Sequence, residues 1–242
     1  MKLDNKRTIL TGFAFLSICA FWQMYNSIVP LILTNTFHMN ETYSGAIMAA
    51  DNILALFLLP LFGSISDRTN TKIGKRMPFI LFGTGLAIIL MNILPIIDNS
   101  YAAAPNTFKT VSFVVVLGLL LVAMGTYRSP AVALMPDITP KPLRSKGNAI
   151  INLMGALGGV IYLGVAAVMY PNSKVAGLAH VNYQPLFIVV ASIMFVAVAI
   201  LFLTIKEPKL IEEQRKLEAE HPEWNLEQDD GSGHETLPKP VK

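Results

Sequence analysis

Residues 63–78 read GSISDRTNTKIGKRMP, and the runs on either side of them decide the fold. Residues 44–61 and 79–97 are long and apolar, while Asp67, Arg68, Lys72, Lys75 and Arg76 crowd the turn between them. A helix needs about 20 apolar residues to cross a hydrocarbon core about 30 Å thick. Short turns rich in Lys and Arg mark the cytoplasmic side of such a protein. The stretch therefore fixes both solvent and orientation: a membrane, with this turn at its cytoplasmic face.

Working outward, six apolar segments lie near residues 9–34, 44–65, 78–98, 109–133, 147–169 and 184–205, separated by short polar turns. Lys2, Lys6, Arg7, Arg68, Lys72, Lys75, Arg76, Lys141, Arg144 and Lys146 fall on one side, against Lys109 and Lys174 on the other. That bias predicts a multi-pass protein of the cell membrane with both termini cytoplasmic. Charged residues make up 14% of the chain, well below the roughly 25% of soluble domains. The first apolar stretch, residues 9–33, exceeds the roughly 7–15 residues of a signal-peptide core and reads as a retained span.

Several function classes drop out. No basic face interleaved with aromatics suggests a nucleic-acid partner. Cys19, the single cysteine, reads as a small hydrophobe in the first span. No Walker loop, HExxH or GxSxG is present, and His38, His180, His221 and His234 lack metal-ligand spacing. These histidines read as ordinary surface residues of loops and tail. No enzyme, metal or cofactor is expected.

Residues 1–205 read as a six-span bundle and residues 206–242 as a polar cytoplasmic tail, better suited to a connector than to a terminus. Within the tail, LIEEQRKLEAE reads as a solvated helix and the last dozen residues as disordered. Trp224 reads as an exposed aromatic, the alternative being contact with the membrane surface.

Polar groups inside apolar spans are costly and need a partner or a task. Gln23, Asn26 and Pro30 share one face of the first span, beside Trp22 and Tyr25. Amides and rings of this kind suit a sugar, whose hydroxyls take hydrogen bonds and whose C–H faces lie on aromatics; the alternative is interhelical glue. Asp51 is the only acid that reads as deep within a span. It becomes a proton carrier if water reaches it alternately from each side, the alternative being a structural ion pair. Arg128 follows the run VVVLGLLLVAMGTY and must meet a carboxylate, a wet cavity or a ligand, or else snorkel to the interface. Asp51 is its natural partner. In the fifth span, Asn152 is a further cavity candidate, while Gly155, Gly158 and Gly159 suit close helix packing. The third and sixth spans are nearly free of polar groups and read as outer supports.

The pattern Gly63, Asp67-Arg68, Gly74-Lys75-Arg76 resembles the signature turn of the major facilitator superfamily. Its long form, continuing into RMPFI, is similar to the sucrose–proton and glycoside–cation symporter branch. Residues 130–159, PAVALMPDITPKPLRSKGNAIINLMGALGG, resemble the same branch, with Asp137 and Arg144 at its acidic and basic positions. The resemblance implies two inverted three-helix repeats with the first and fourth helices nearest substrate, half of a twelve-span fold. It also implies a cytoplasmic gate at the signature turn, involving Asp67 and Arg68 and drawing in Lys75, Arg76, Asp137 and Arg144. Two positions depart from the pattern. Ala55 and Leu59 stand where sodium-coupled relatives carry acids, and Val132 where plant sucrose symporters carry arginine.

The expectation is thus an all-α, six-span half of a proton-coupled disaccharide or glycoside symporter. Asp51 would couple the proton, Arg128, Trp22, Gln23, Tyr25, Asn26 and Asn152 would face the sugar, and a second six-helix half would complete the transporter. The alternatives are a non-transporting scaffold or regulatory remnant of a truncated transporter, and a homodimeric half-transporter.

Overall fold

The computed structural model describes residues 3–225; the expected disorder of the last dozen residues lies outside them. Helix α1 spans Asn5–Leu31, α2 Glu41–Arg68, α3 Met77–Ala103, α4 Thr107–Ile138, α5 Arg144–Met169, the short α6 Asn172–Val175, α7 Gln184–Thr204 and α8 Glu207–Glu220. Among the described residues six helices, α1 to α5 and α7, are long and apolar enough to cross a membrane.

Local signals explain where the helices begin. The side chains of Asp4, Asn40 and Asn106 cap α1, α2 and α4 by accepting hydrogen bonds from Arg7, Thr42 and Phe108 N–H groups. Proline occupies the first turn of α3, α7 and α8, where its missing N–H is not needed. Pro30 lies just before a π-helical segment, Ile32–Thr36, that ends the first span.

The core lies between α1, α3, α4 and α7, and Phe21, Tyr25, Met91, Met124, Tyr127 and Phe187 are fully enclosed there. The neighbour pattern has a two-fold logic: α1 packs on α5 as α4 packs on α2, and α1 packs on α7 as α4 packs on α3. Exchanging helices one to three for helices four to six maps each of these pairs onto the other. Each of the exchanged helices runs opposite to its counterpart if successive spans alternate in direction, so the repeats are inverted.

Glycines permit the closest crossings. A Cβ on Gly158 of α5 would collide with the Leu16 carbonyl of α1, and one on Gly83 of α3 would stand 2.7 Å from the Tyr127 nitrogen of α4. The packing expected of the GALGG run is therefore present at Gly155 and Gly158. The supports α3 and α7 put one face into the core and turn Phe82, Ile89, Phe195 and Phe202 outward. Helix α2 buries only Ser44 and Ser66 and exposes Ile53, Leu56 and Phe57.

Candidate functional site

Two groups of polar residues occupy different depths of the bundle. At the end carrying the signature turn, α2 stops at Arg68 and α3 starts at Met77. Gly74 in the connecting loop has φ +119°, a region open to glycine but strained for other residues. Arg76 is only 4% exposed. Its Nε donates to Asp137 Oδ2 at 2.9 Å, while its two terminal nitrogens reach Asp67, Ser66 Oγ and, at 3.3 Å, the Gly63 carbonyl. Lys75 Nζ lies 3.0 Å from Asp137 and 3.7 Å from Asp67. Two cations thus hold two carboxylates, one on α2 and one on α4. Because guanidinium keeps its charge and presents its donors as a planar fork, Arg76 suits the centre of this network.

The structure brings Gly63, Asp67, Gly74, Lys75, Arg76 and Asp137 together. Arg68 is exposed and makes no ion pair among the described residues. Arg144 lies apart from the turn, donating to the Thr139 carbonyl at 3.2 Å and approaching Glu218 of α8 at 3.7 Å.

Glu207 is the member that the sequence reading lacked. It is 1% exposed, and its carboxylate accepts from the backbone N–H groups of Lys75, Arg76 and Met77 at 2.8 to 3.1 Å. An anion is favoured at a helix N-terminus by both free N–H donors and the helix dipole. Any Cβ at Gly74 would strike this carboxylate. An acid two residues past the last apolar run, followed by Pro208, is the only sequence signal that marks it. Glu207 anchors the start of α8, and Arg7–Glu213 at 3.5 Å and Arg144–Glu218 tie its remainder to α1 and α5. Leu210 and Gln214 are buried beneath it, so α8 is docked on one face rather than solvated all round. Trp224 is half-buried and stacks on His221, with ring centroids 4.4 Å apart.

The second group lies inside the spans. Trp22 meets Phe21 and Tyr25 edge-on, with centroids 5.3 Å apart in both pairs. The Arg128 guanidinium sits over the Trp22 ring, 5.6 Å from its centroid, within cation–π range. The expected Arg128–Asp51 ion pair is absent among the described residues: Arg128 rests on Trp22, and no ion pair of Asp51 is formed there. Trp22 Nε1, Tyr25 OH and Asp51 Oδ1 are buried without hydrogen-bond partners. Gln23 is half-buried, and Asn26 and Asn152 are exposed. Neighbouring side chains lock α4 in place: Tyr127 OH donates to the Ala14 carbonyl at 2.9 Å, and Ser129 Oγ to the Leu59 carbonyl at 2.7 Å. The result is a cation, a carboxylate, a ring and amides with unused hydrogen-bonding capacity, a set suited to a polar solute.

Asp51 is not the only enclosed acid. Asp98, near the far end of α3, is fully buried, with His180 Nε2 3.9 Å away. His180 also contacts Thr36 at 3.3 Å and Asn99 at 2.8 Å, so it is a bundle-closing residue rather than an ordinary surface histidine. Nearby, burial pushes the Tyr170 and Tyr183 phenols above their ordinary range. Asp98 escaped notice because it falls at the edge of its apolar run, and its partner lies 82 residues further along the chain.

Six apolar helices in two inverted repeats, with a charge network clamping one end and polar groups within the spans, define the fold of a multi-pass membrane protein. The family model of the Major Facilitator Superfamily matches residues 11–235, and the chain belongs to that superfamily of membrane transporters. It is 29% identical to the sucrose transport protein SUC3 of Arabidopsis thaliana over 52% of this chain and 23% of that protein. It is 31% identical to the sucrose transport protein SUT3 of Oryza sativa subsp. indica over 45% of this chain and 24% of that protein. It is also 27% identical to the alpha-ketoglutarate permease of Escherichia coli over 77% of this chain and 41% of that protein. The matched stretches thus span about a quarter to two fifths of those relatives.

Proposed function

We propose that the chain forms one six-helix half of a proton-coupled sugar transporter, its substrate a disaccharide or glycoside. The observation that carries this reading is the polar group within the spans: Arg128 over Trp22, the Tyr25 ring against Trp22, and Tyr25 OH and Asp51 Oδ1 buried without hydrogen-bond partners among the described residues. A sugar hydroxyl array takes hydrogen bonds from Arg128 and gives them to Asp51, while its C–H face lies on the Trp22 ring. Gln23, Asn26 and Asn152 add amides from α1 and α5. Asp51 gains and loses the coupling proton as the cavity opens to either side. The similarity to sucrose transport proteins supports the substrate class.

A second six-helix bundle, from another chain, a second copy or a longer polypeptide, supplies the facing wall of the cavity, because alternating access rocks one bundle against another. The apolar surface of α2 suits that contact. In this reading the signature turn and both ends of residues 1–205 face the cytoplasmic side of the cell membrane, which the bias of Lys and Arg supports. There Asp67, Lys75, Arg76, Asp137 and Glu207 form this half of the gate, with Arg68 free to meet the other half and Arg144 holding the connector helix.

A second substrate class has its own support. An unpaired guanidinium also suits a carboxylate, and a similar protein is an alpha-ketoglutarate permease. Uptake of radiolabelled sucrose and alpha-ketoglutarate into vesicles containing the assembled transporter, under an imposed inward proton gradient, separates the two. Gradient-driven accumulation of sucrose but not of the dicarboxylate is expected; accumulation of the dicarboxylate alone overturns the sugar assignment.

A further inference from the structure

On the outward side of α3 and α7, away from the polar groups just described, two cavities meet at Phe202. The first, about 360 Å³, opens at the signature-turn end and is bordered by Lys72, Lys206 and Lys209 over an apolar floor of Met77, Phe202 and Ile205. The second, about 260 Å³, runs between the helices along Leu81, Gly85, Ile88, Phe195 and Phe202. We infer that these two cavities, which share Phe202, together bind one anionic glycerophospholipid, with its phosphate among the three lysines and an acyl chain lying between α3 and α7.

Charge complementarity is the first argument. None of the three lysines pairs with a carboxylate among the described residues. The adjoining acids are committed elsewhere: Glu207 to the N-terminus of α3, and Asp4 and Glu213, which border a cavity with Lys206 and Lys209, to Arg7. Three uncompensated cations at the end of two spanning helices attract an anionic headgroup, each contributing to its retention.

Length is the second argument. Met77 borders the head cavity and Ile88 the groove; at about 1.5 Å per helical residue their separation is about 17 Å. One leaflet of the hydrocarbon core is about 15 Å deep. A chain entering at the lysines therefore stays in the groove through one leaflet. Shape is the third: a Cβ on Gly85 would meet nothing within 4 Å, so the groove is open where a methylene chain would pass.

The test uses the purified full chain in neutral detergent, with native mass spectrometry counting retained lipid at equal concentrations of dioleoyl phosphatidylglycerol and dioleoyl phosphatidylcholine. Retention of phosphatidylglycerol is expected to exceed that of phosphatidylcholine by about tenfold or more. The Lys72→Gln/Lys206→Gln/Lys209→Gln variant should bring the two lipids level. A Lys146→Gln/Lys174→Gln/Lys216→Gln variant, with the same charge change elsewhere, should keep the preference. Gly85→Leu, which obstructs the groove without touching a charge, should reduce retention of both lipids. Equal retention by the unaltered chain overturns the inference, as does undiminished phosphatidylglycerol retention in either groove variant. Displacement by millimolar inorganic phosphate also overturns it, since the lysines would then hold a free anion rather than a lipid.

Discussion

Arg76 joins three segments that are far apart in sequence. Its guanidinium reaches Asp67 and the Gly63 carbonyl on α2 and Asp137 on α4, while its backbone N–H donates to Glu207 of α8. Replacing it with alanine leaves the half-buried Asp137 and the exposed Asp67 to Lys75 alone and strips the Gly63 carbonyl and Ser66 Oγ of their donor, at a cost of about 2–4 kcal/mol. At about 2–4 °C per kcal/mol for a chain of this size, the thermal midpoint in detergent should fall by roughly 5–15 °C. Arg76→Lys should recover less than half of that loss, because a point charge cannot serve two carboxylates and a carbonyl as a fork does. Gly74→Ala should cost about 2–3 kcal/mol by combining left-handed backbone strain with expulsion of the Glu207 carboxylate. Gly74→Ala and Glu207→Ala should be strongly non-additive in a double-mutant cycle, since both break the same contact. Additive effects would separate Gly74 from that carboxylate.

At the scale of the helix, crossings and caps matter most. Gly158→Ala should destabilise the α1–α5 crossing by about 1–3 kcal/mol, because the methyl group has no room beside the Leu16 carbonyl. Gly164→Ala on the same helix meets nothing within 4 Å and should be tolerated; equal loss at both sites, followed by thermal denaturation, would refute a steric cause. Glu207→Gln should weaken the attachment of α8 by about 1 kcal/mol and speed amide exchange over residues 207–220. The helices themselves were readable in the sequence because long apolar runs alternate with short polar turns; the capping Asn and Asp residues and N-terminal prolines found in the structure agree with those bounds. The α8 docking was not, because its face carries Leu210 and Gln214 among many charges and its anchor is an acid meeting backbone N–H groups from another element. The Trp22–Tyr25 contact follows from helical spacing, whereas Arg128 settling on Trp22 instead of Asp51 depends on how α1, α2 and α4 cross, which no single span encodes.

At the scale of the molecule, a bundle that conducts solute must expose one set of polar groups to two sides in turn. In the proposed cycle Asp51 is needed for coupling, whereas Arg128 is needed for binding itself, so their loss separates two measurable processes. Sucrose counterflow across vesicles of the assembled transporter needs binding and rocking but no net proton movement. Accumulation under an imposed proton gradient needs coupling as well. Both quantities, read side by side from one radiolabelled-sucrose assay of the unaltered protein, Asp51→Asn and Arg128→Ala, test the assignment most directly. Asp51→Asn should keep counterflow while losing gradient-driven accumulation, and Arg128→Ala should lose both. Full gradient-driven accumulation by Asp51→Asn, or undiminished counterflow by Arg128→Ala, would contradict it.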